Sequence, residues 1–97
     1  STVRIFVCAE PQDMRRSFDG LALAAREHLG EDPESGALFL FINKRRNRAK
    51  VLWFDRNGYC LLYKRLDRAR FDLPLSRTID ARTLAHLLRG VPTNRRR

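Results

Sequence analysis

Five consecutive large apolar residues, Leu38-Phe39-Leu40-Phe41-Ile42, stand at the centre of this chain without a charge among them. A run of this length bounded by turn residues has the size of a strand, not of a helix. Successive strand side chains point to opposite faces, so Leu38, Leu40 and Ile42 share one face and Phe39 and Phe41 the other. A strand that is apolar on both faces belongs inside a sheet covered on both sides. One helix covers one face. The second face requires the C-terminal segment, a second copy of the chain in a homo-oligomer, or a ligand.

The flanking sequence supplies the rest of the sheet. Residues 50–54 and 59–66 read as two further strands joined by Asp55-Arg56-Asn57-Gly58, a tight hairpin in which Asn57 and Gly58 supply positive φ. Upstream, residues 3–8 read as a first strand ended by Pro11. Asp13 has the position of a helix cap, and Met14, Phe18, Leu21, Ala22, Ala25 and Leu29 then draw a single apolar stripe that stops at Gly30. Leu23 faces away from the stripe and is a candidate contact for a neighbour. Residues 32–36 are turn chemistry and residues 73–77 an irregular connector. Asp80 caps a last helix over 81–89, with Leu84, Leu87 and Leu88 as its face and Gly90 and Pro92 as its stop.

The fold class expected is α+β: an N-terminal strand, a helix, a three-stranded antiparallel meander and a C-terminal helix. Ninety-seven residues make one domain, 1–97, with a folded core over 1–90 and a flexible basic tail over 91–97.

Charge is distributed unevenly. The net charge is +9, and residues 1–43 hold four Arg against seven acids while residues 44–97 hold sixteen Lys and Arg against four acids. Ten of those cations lie between residues 44 and 70, interleaved with Trp53, Phe54, Tyr59 and Tyr63. Cations on a loop and at strand ends of a folded element hold positive charge towards a polyanion. Nucleic acid is the expected partner, then an anionic membrane and then an acidic protein; a membrane is the weaker choice because these residues do not line one face of an amphipathic helix. Lys44, Arg45, Arg46, Arg48 and Lys50 are expected to neutralise phosphates, and Lys64, Arg65, Arg68 and Arg70 to extend the patch. Strand aromatics are more often core than base-stacking platforms. Tyr59 and Tyr63 share a face with Leu61 and Arg65; they are the pair expected to be exposed, and with Leu23 they form the candidate partner interface.

Residues for catalysis are sparse. His28 and His86 are far apart in sequence and no CxxC is present, so no metal site is expected. Cys8 and Cys60 lie in strand-like apolar runs, and no glycine-rich phosphate loop occurs. A nuclease would bring two or three carboxylates together around Mg²⁺. Here Asp13 reads as a cap, Asp55 as a turn residue, Asp67 as a partner of Arg65, Arg68 or Arg70, and Asp19 as a partner of Arg15. No enzymatic activity and no cofactor are expected. No apolar run reaches the length of a membrane span and no signal peptide is expected; with both cysteines read as buried thiols, a cytoplasmic, nucleoid-associated location is expected.

Several spaced blocks carry a family resemblance. They are Asp13-Met14-Arg15-Arg16-Ser17-Phe18-Asp19-Gly20-Leu21, the turn and strand from Asp32 through Phe41, Lys50-Val51-Leu52-Trp53-Phe54-Asp55, Gly58-Tyr59-Cys60-Leu61 and Tyr63-Lys64-Arg65-Leu66. In this order they closely resemble the TnpB accessory proteins of insertion-sequence-66 transposons, which are distinct from the RNA-guided nuclease of the same name. The match is strong from Val3 to Phe71 and loose beyond; family members usually carry Gly where Ser17 stands and often Trp where Leu73 stands. The resemblance implies a non-catalytic protein that serves transposition beside a cognate transposase, and it brings no catalytic residues. Three functions are thus in view: an accessory factor that binds DNA electrostatically, a transposase-docking module without DNA contact, and a metal-dependent nuclease.

Overall fold

The computed structural model describes residues 2–93. In chain order its elements are β1 (Ile5–Val7), α1 (Phe18–Ala24) continued by a π-helical turn (Ala25–Leu29), β2 (Leu38–Ile42), β3 (Arg48–Asp55), β4 (Gly58–Arg65), β5 (Ala69–Arg70), β6 (Thr78–Ile79), α2 (Ala81–Leu87) and β7 (Val91–Pro92). The class is α+β and β2, β3 and β4 form the antiparallel meander. The sheet is larger than the meander, however. β1 runs parallel to β2, with Ile5 opposite Leu38, and β6 lies antiparallel on the far side of β1, giving a mixed sheet in the order β4-β3-β2-β1-β6. The parallel pair follows from the crossover: a strand that leaves through α1 and returns on the same sheet comes back in the same direction.

α1 and its π-helical turn cover one face. Leu21, Ala22, Ala25 and Leu29 bury Phe6, Phe39, Phe41 and Leu52, and the Phe6 and Phe39 rings stack with centroids 5.6 Å apart. The other face, formed by Ile5, Val7, Leu40, Ile42 and Val51, is closed by Leu66, Phe71, Leu84 and Leu87 from the C-terminal segment. The chain covers its second face itself, so that face needs neither a second copy nor a ligand.

Three boundaries move. Asp13 does not cap α1: its carboxylate accepts the Arg15 backbone N–H at 2.9 Å and the Arg15 guanidinium at 2.6 Å, closing an Asx turn upstream of the helix. Arg15 is therefore held by Asp13 and not by Asp19, and the helix begins after Ser17, which makes no side-chain cap. In the β3–β4 hairpin Asp55 pairs with Gly58, leaving Arg56-Asn57 as the loop, and it is Arg56 (φ 55°) that takes the left-handed conformation, not Asn57 or Gly58. The ordered chain also continues past residue 90. Gly90, at φ 77°, lets Val91–Pro92 fold back onto β5, where a Cβ would stand 2.5 Å from Leu66 Cδ1. Of the expected tail, residues 94–97 lie outside the described residues. Asp80 does cap α2, accepting from Thr83 N at 2.8 Å, and that bond lowers its carboxyl pKa.

Candidate nucleic-acid interface

The turn between β2 and β3 is built around one asparagine. Asn43 Oδ1 accepts the backbone N–H groups of Asn47 (3.0 Å) and Arg48 (2.9 Å), and Asn43 Nδ2 donates to Asn47 Oδ1 at 2.8 Å. Arg46, at φ 60°, reverses the chain in the left-handed region, with its N–H donating to Asn43 O at 3.0 Å. The turn is also tied to the C-terminal segment: Phe71 N donates to Arg46 O (2.7 Å) and Leu66 N to Asn47 O (2.8 Å). Its backbone is thereby satisfied from both sides while the Lys44, Arg45 and Arg46 side chains stay exposed. Buried bonding below and free cations above give a rigid positive ridge.

The nine cations expected to meet phosphate separate into groups. Lys44, Arg45 and Arg48 line an open cavity of ≈ 550 Å³ between this turn and the β1–α1 loop, together with Gln12, Met14, Arg15 and Tyr63. Four cations and one carboxylate, Asp13, line that cavity. Hydrogen bonding to Arg15 holds the Asp13 carboxyl at a pKa of about 2, so the local charge balance stays constant through neutral and mildly acid pH. On the other flank Arg46 and Arg70 line a second cavity of ≈ 310 Å³ with Phe71, Val91 and Pro92. Arg65 lies opposite Arg48 across the strands and is engaged by Asp67 at 3.1 Å. Lys64 and Arg68 are exposed, Lys64 on the opposite face of β4.

Lys50 does not belong to the group. It is 5% exposed, and its Nζ donates to Met14 O (2.8 Å) and Arg16 O (2.7 Å) while lying 4.6 Å from the centre of the Tyr63 ring. The alternation that puts Leu52 under α1 also puts Lys50 there, where the loop leading into the helix presents the Met14 and Arg16 carbonyls. Two carbonyls and an aromatic face compensate its buried charge. Lys50 is a structural cation and is not available to a phosphate in solution.

The expected tyrosine pair also divides. Tyr59 is half-buried against Phe54, edge to face at 5.1 Å, and its OH donates to Glu34 Oε2 at 3.4 Å; burial and then Glu34 push its phenol pKa up. Tyr63 is 47% exposed and its OH accepts from Arg48 Nη1 at 2.9 Å. Leu23 is 46% exposed on α1, in keeping with its place off the apolar stripe.

Arg15, Gln12 and Asn43 escaped the reading of the sequence. Gln12 is buried and receives the Arg16 guanidinium on its Oε1 at 3.1 Å, which fixes the loop that carries Arg15. Only the Asn43–Asn47 pair flanking the basic run offered a signal, as an Asx motif. Among the described residues no group of three or more His, Cys, Asp or Glu is placed to hold a metal ion, and no helix is long and apolar enough to cross a membrane.

The family model described as IS66 Orf2 like protein matches residues 3–97. The chain belongs to the IS66 Orf2-like family. Membership implies an accessory role in transposition, and the family is not one of known catalysts. Among similar proteins is the uncharacterized protein y4hO of Sinorhizobium fredii, 39% identical over 93 residues that span 92% of this chain and 81% of that protein. A second, the uncharacterized protein y4jC of the same organism, is 35% identical over 72 residues, 74% of this chain and 62% of that protein. No solved structure matches the chain.

Proposed function

We propose that this transposition accessory protein binds DNA through the β2–β3 ridge and supports assembly of the transposase complex on it. One observation carries the reading: Lys44, Arg45 and Arg46 stand free on a turn whose backbone is hydrogen-bonded on both sides. Solvated basic side chains on a mobile run lose conformational entropy on binding; a fixed ridge has already lost it in the backbone. Arg48 and Arg70 extend the same positive surface around the two flanking cavities, while Arg15 is held by Asp13. Such contacts read backbone charge and not base sequence.

Replacing Arg45, Arg46 and Arg48 together by Ala tests the reading. The protein should remain folded, since no core side chain is changed. Its affinity for duplex DNA in a mobility-shift titration should fall at least about tenfold, because three cations no longer neutralise phosphate. Unaltered affinity would remove the ridge as the DNA contact. A second reading, docking on the transposase, draws on Phe18 and Leu23, large apolar side chains 43% and 46% exposed on α1. Leu23→Arg that abolishes transposase capture while leaving DNA affinity intact would favour it.

A further inference from the structure

Tyr63 has a feature that duplex binding leaves unused. Tyr63 lines the cavity between the β1–α1 loop and the basic turn and is 47% exposed, while its neighbour Leu62, 41% exposed, lies on the other face of β4. Two contacts hold the Tyr63 ring. Lys50 Nζ occupies one side of the ring, 4.6 Å from its centre, and Arg48 Nη1 donates to its hydroxyl at 2.9 Å. Lys50 is itself fixed by the Met14 and Arg16 carbonyls, so the ring rests on a rigid base at the edge of the cavity that Tyr63 lines. Around it stand Lys44 and Arg45, with Arg15 paired to Asp13 at 2.6 Å and Met14 as an apolar wall. The volume, ≈ 550 Å³, is that of a small-ligand site and far too small for a double helix.

A flat ring in a ring of cations matches one ligand chemistry. An unpaired nucleotide offers a free base face and an anionic phosphate within one residue, whereas in a duplex every base face is already stacked on its neighbours. We propose that this cavity takes an unpaired DNA nucleotide, its base against Tyr63 and its phosphate on Lys44 and Arg45. The protein would then favour single-stranded or frayed DNA, the form exposed when strands are opened, over intact duplex. Arg48 has two parts in this: it orients the tyrosine through the hydroxyl and adds charge beside the base. The inference rests on the DNA-binding reading above and specifies its substrate.

The test compares a fluorescein-labelled 15-mer of oligodeoxythymidine with a duplex of equal length, by fluorescence anisotropy at two salt concentrations. Wild type is expected to bind the single strand more tightly. Tyr63→Leu keeps apolar cover over Lys50 but removes the flat ring; it should weaken the single strand about 5- to 100-fold, the effect of losing one stacked base, and change duplex affinity less than twofold. Tyr63→Phe, which keeps the ring and loses the hydroxyl, should retain most of the single-strand affinity. Circular dichroism establishes that each variant is folded, and should Tyr63→Leu not fold, Tyr63→Phe against Arg48→Gln on the same two probes decides, with the Arg48 variant weaker on both. Equal losses on both probes in Tyr63→Leu would overturn the stacking site while leaving DNA binding in place. So would no loss on either. A wild-type protein that binds neither probe would overturn the DNA-binding reading, and this inference with it.

Discussion

The meander has two connections, and they share a chemistry without sharing a role. Each reverses the chain with an arginine in the left-handed region, Arg46 at φ 60° and Arg56 at φ 55°, next to an asparagine. The β3–β4 hairpin turn is a two-residue loop closed by the Asp55–Gly58 pair at an end of the sheet, its side chains exposed. The β2–β3 turn is longer, is wrapped around Asn43, and accepts backbone bonds from Leu66 and Phe71. A positive residue on the first turn is a solvated charge; on the second it is a charge with a foundation. Position in the fold, and not residue type, separates the two.

The largest effect expected on that contrast comes from Phe71, fully buried beneath the basic turn. Phe71→Ala should destabilise the protein by about 3–5 kcal/mol through the cavity it leaves. In conditions where the variant still folds, amide exchange at Asn47 and Arg48 should quicken, while Trp53 and Cys60, paired near the hairpin end, keep their protection. Uniform loss of protection along both ends of β3 would show that the basic turn has no separate support.

Lys50 gives the next largest effect. Lys50→Met preserves the stem and removes the ammonium, leaving the Met14 and Arg16 carbonyls without their donor, at a cost of about 1–3 kcal/mol. Denaturant titration measures it. The salt dependence of DNA binding should not change, because a buried cation releases no counterion. A shallower slope in this variant would return Lys50 to the phosphate-binding set.

Much of this arrangement was legible in the sequence, and what was not has identifiable causes. The run Leu38–Ile42 became β2 without a shift of register, and Asp80 and Gly30 marked helix ends where the side chain and the glycine act alone. Asp13 misled because an Asx turn and a helix cap use the same carboxylate-to-backbone bond, and only the next residues decide which follows. β6 and β7 have two residues each, too few for any periodicity to declare them. The burial of Lys50 was hidden because a basic residue in a basic run reads as surface; its fate is set by α1, whose loop meets β3 across 34 residues of sequence. Arg15 was missed as a lining residue for the same reason, since a cavity between two distant loops exists only in the fold.

The smallest effect separates the two turns by their backbones. Arg56→Gly should be neutral or stabilising by up to about 1 kcal/mol, glycine being at ease at positive φ. Arg46→Gly should do the same for stability, read from thermal melts, but only Arg46→Gly should weaken DNA binding, since it leaves one phosphate without its cation. Equal binding losses would erase the distinction between the turns.

The central claim is that rigidly mounted cations of the β2–β3 turn neutralise DNA phosphates, and the salt dependence of duplex binding tests it most directly. With Lys50 withdrawn, Arg65 engaged by Asp67 and Lys64 on the opposite face of β4, Lys44, Arg45, Arg46, Arg48, Arg68 and Arg70 remain on the described surface; about four to five of them can meet phosphate at once, so log affinity against log salt should fall with a slope of roughly −4. In the Arg45, Arg46 and Arg48 to Ala variant the slope should become shallower by about 2 to 3, at about 0.9 for each phosphate no longer neutralised, whereas Arg56→Gly should match wild type. Transposon-end and random duplexes should give the same slope. A wild-type slope near zero, or one the triple variant leaves intact, would contradict the account.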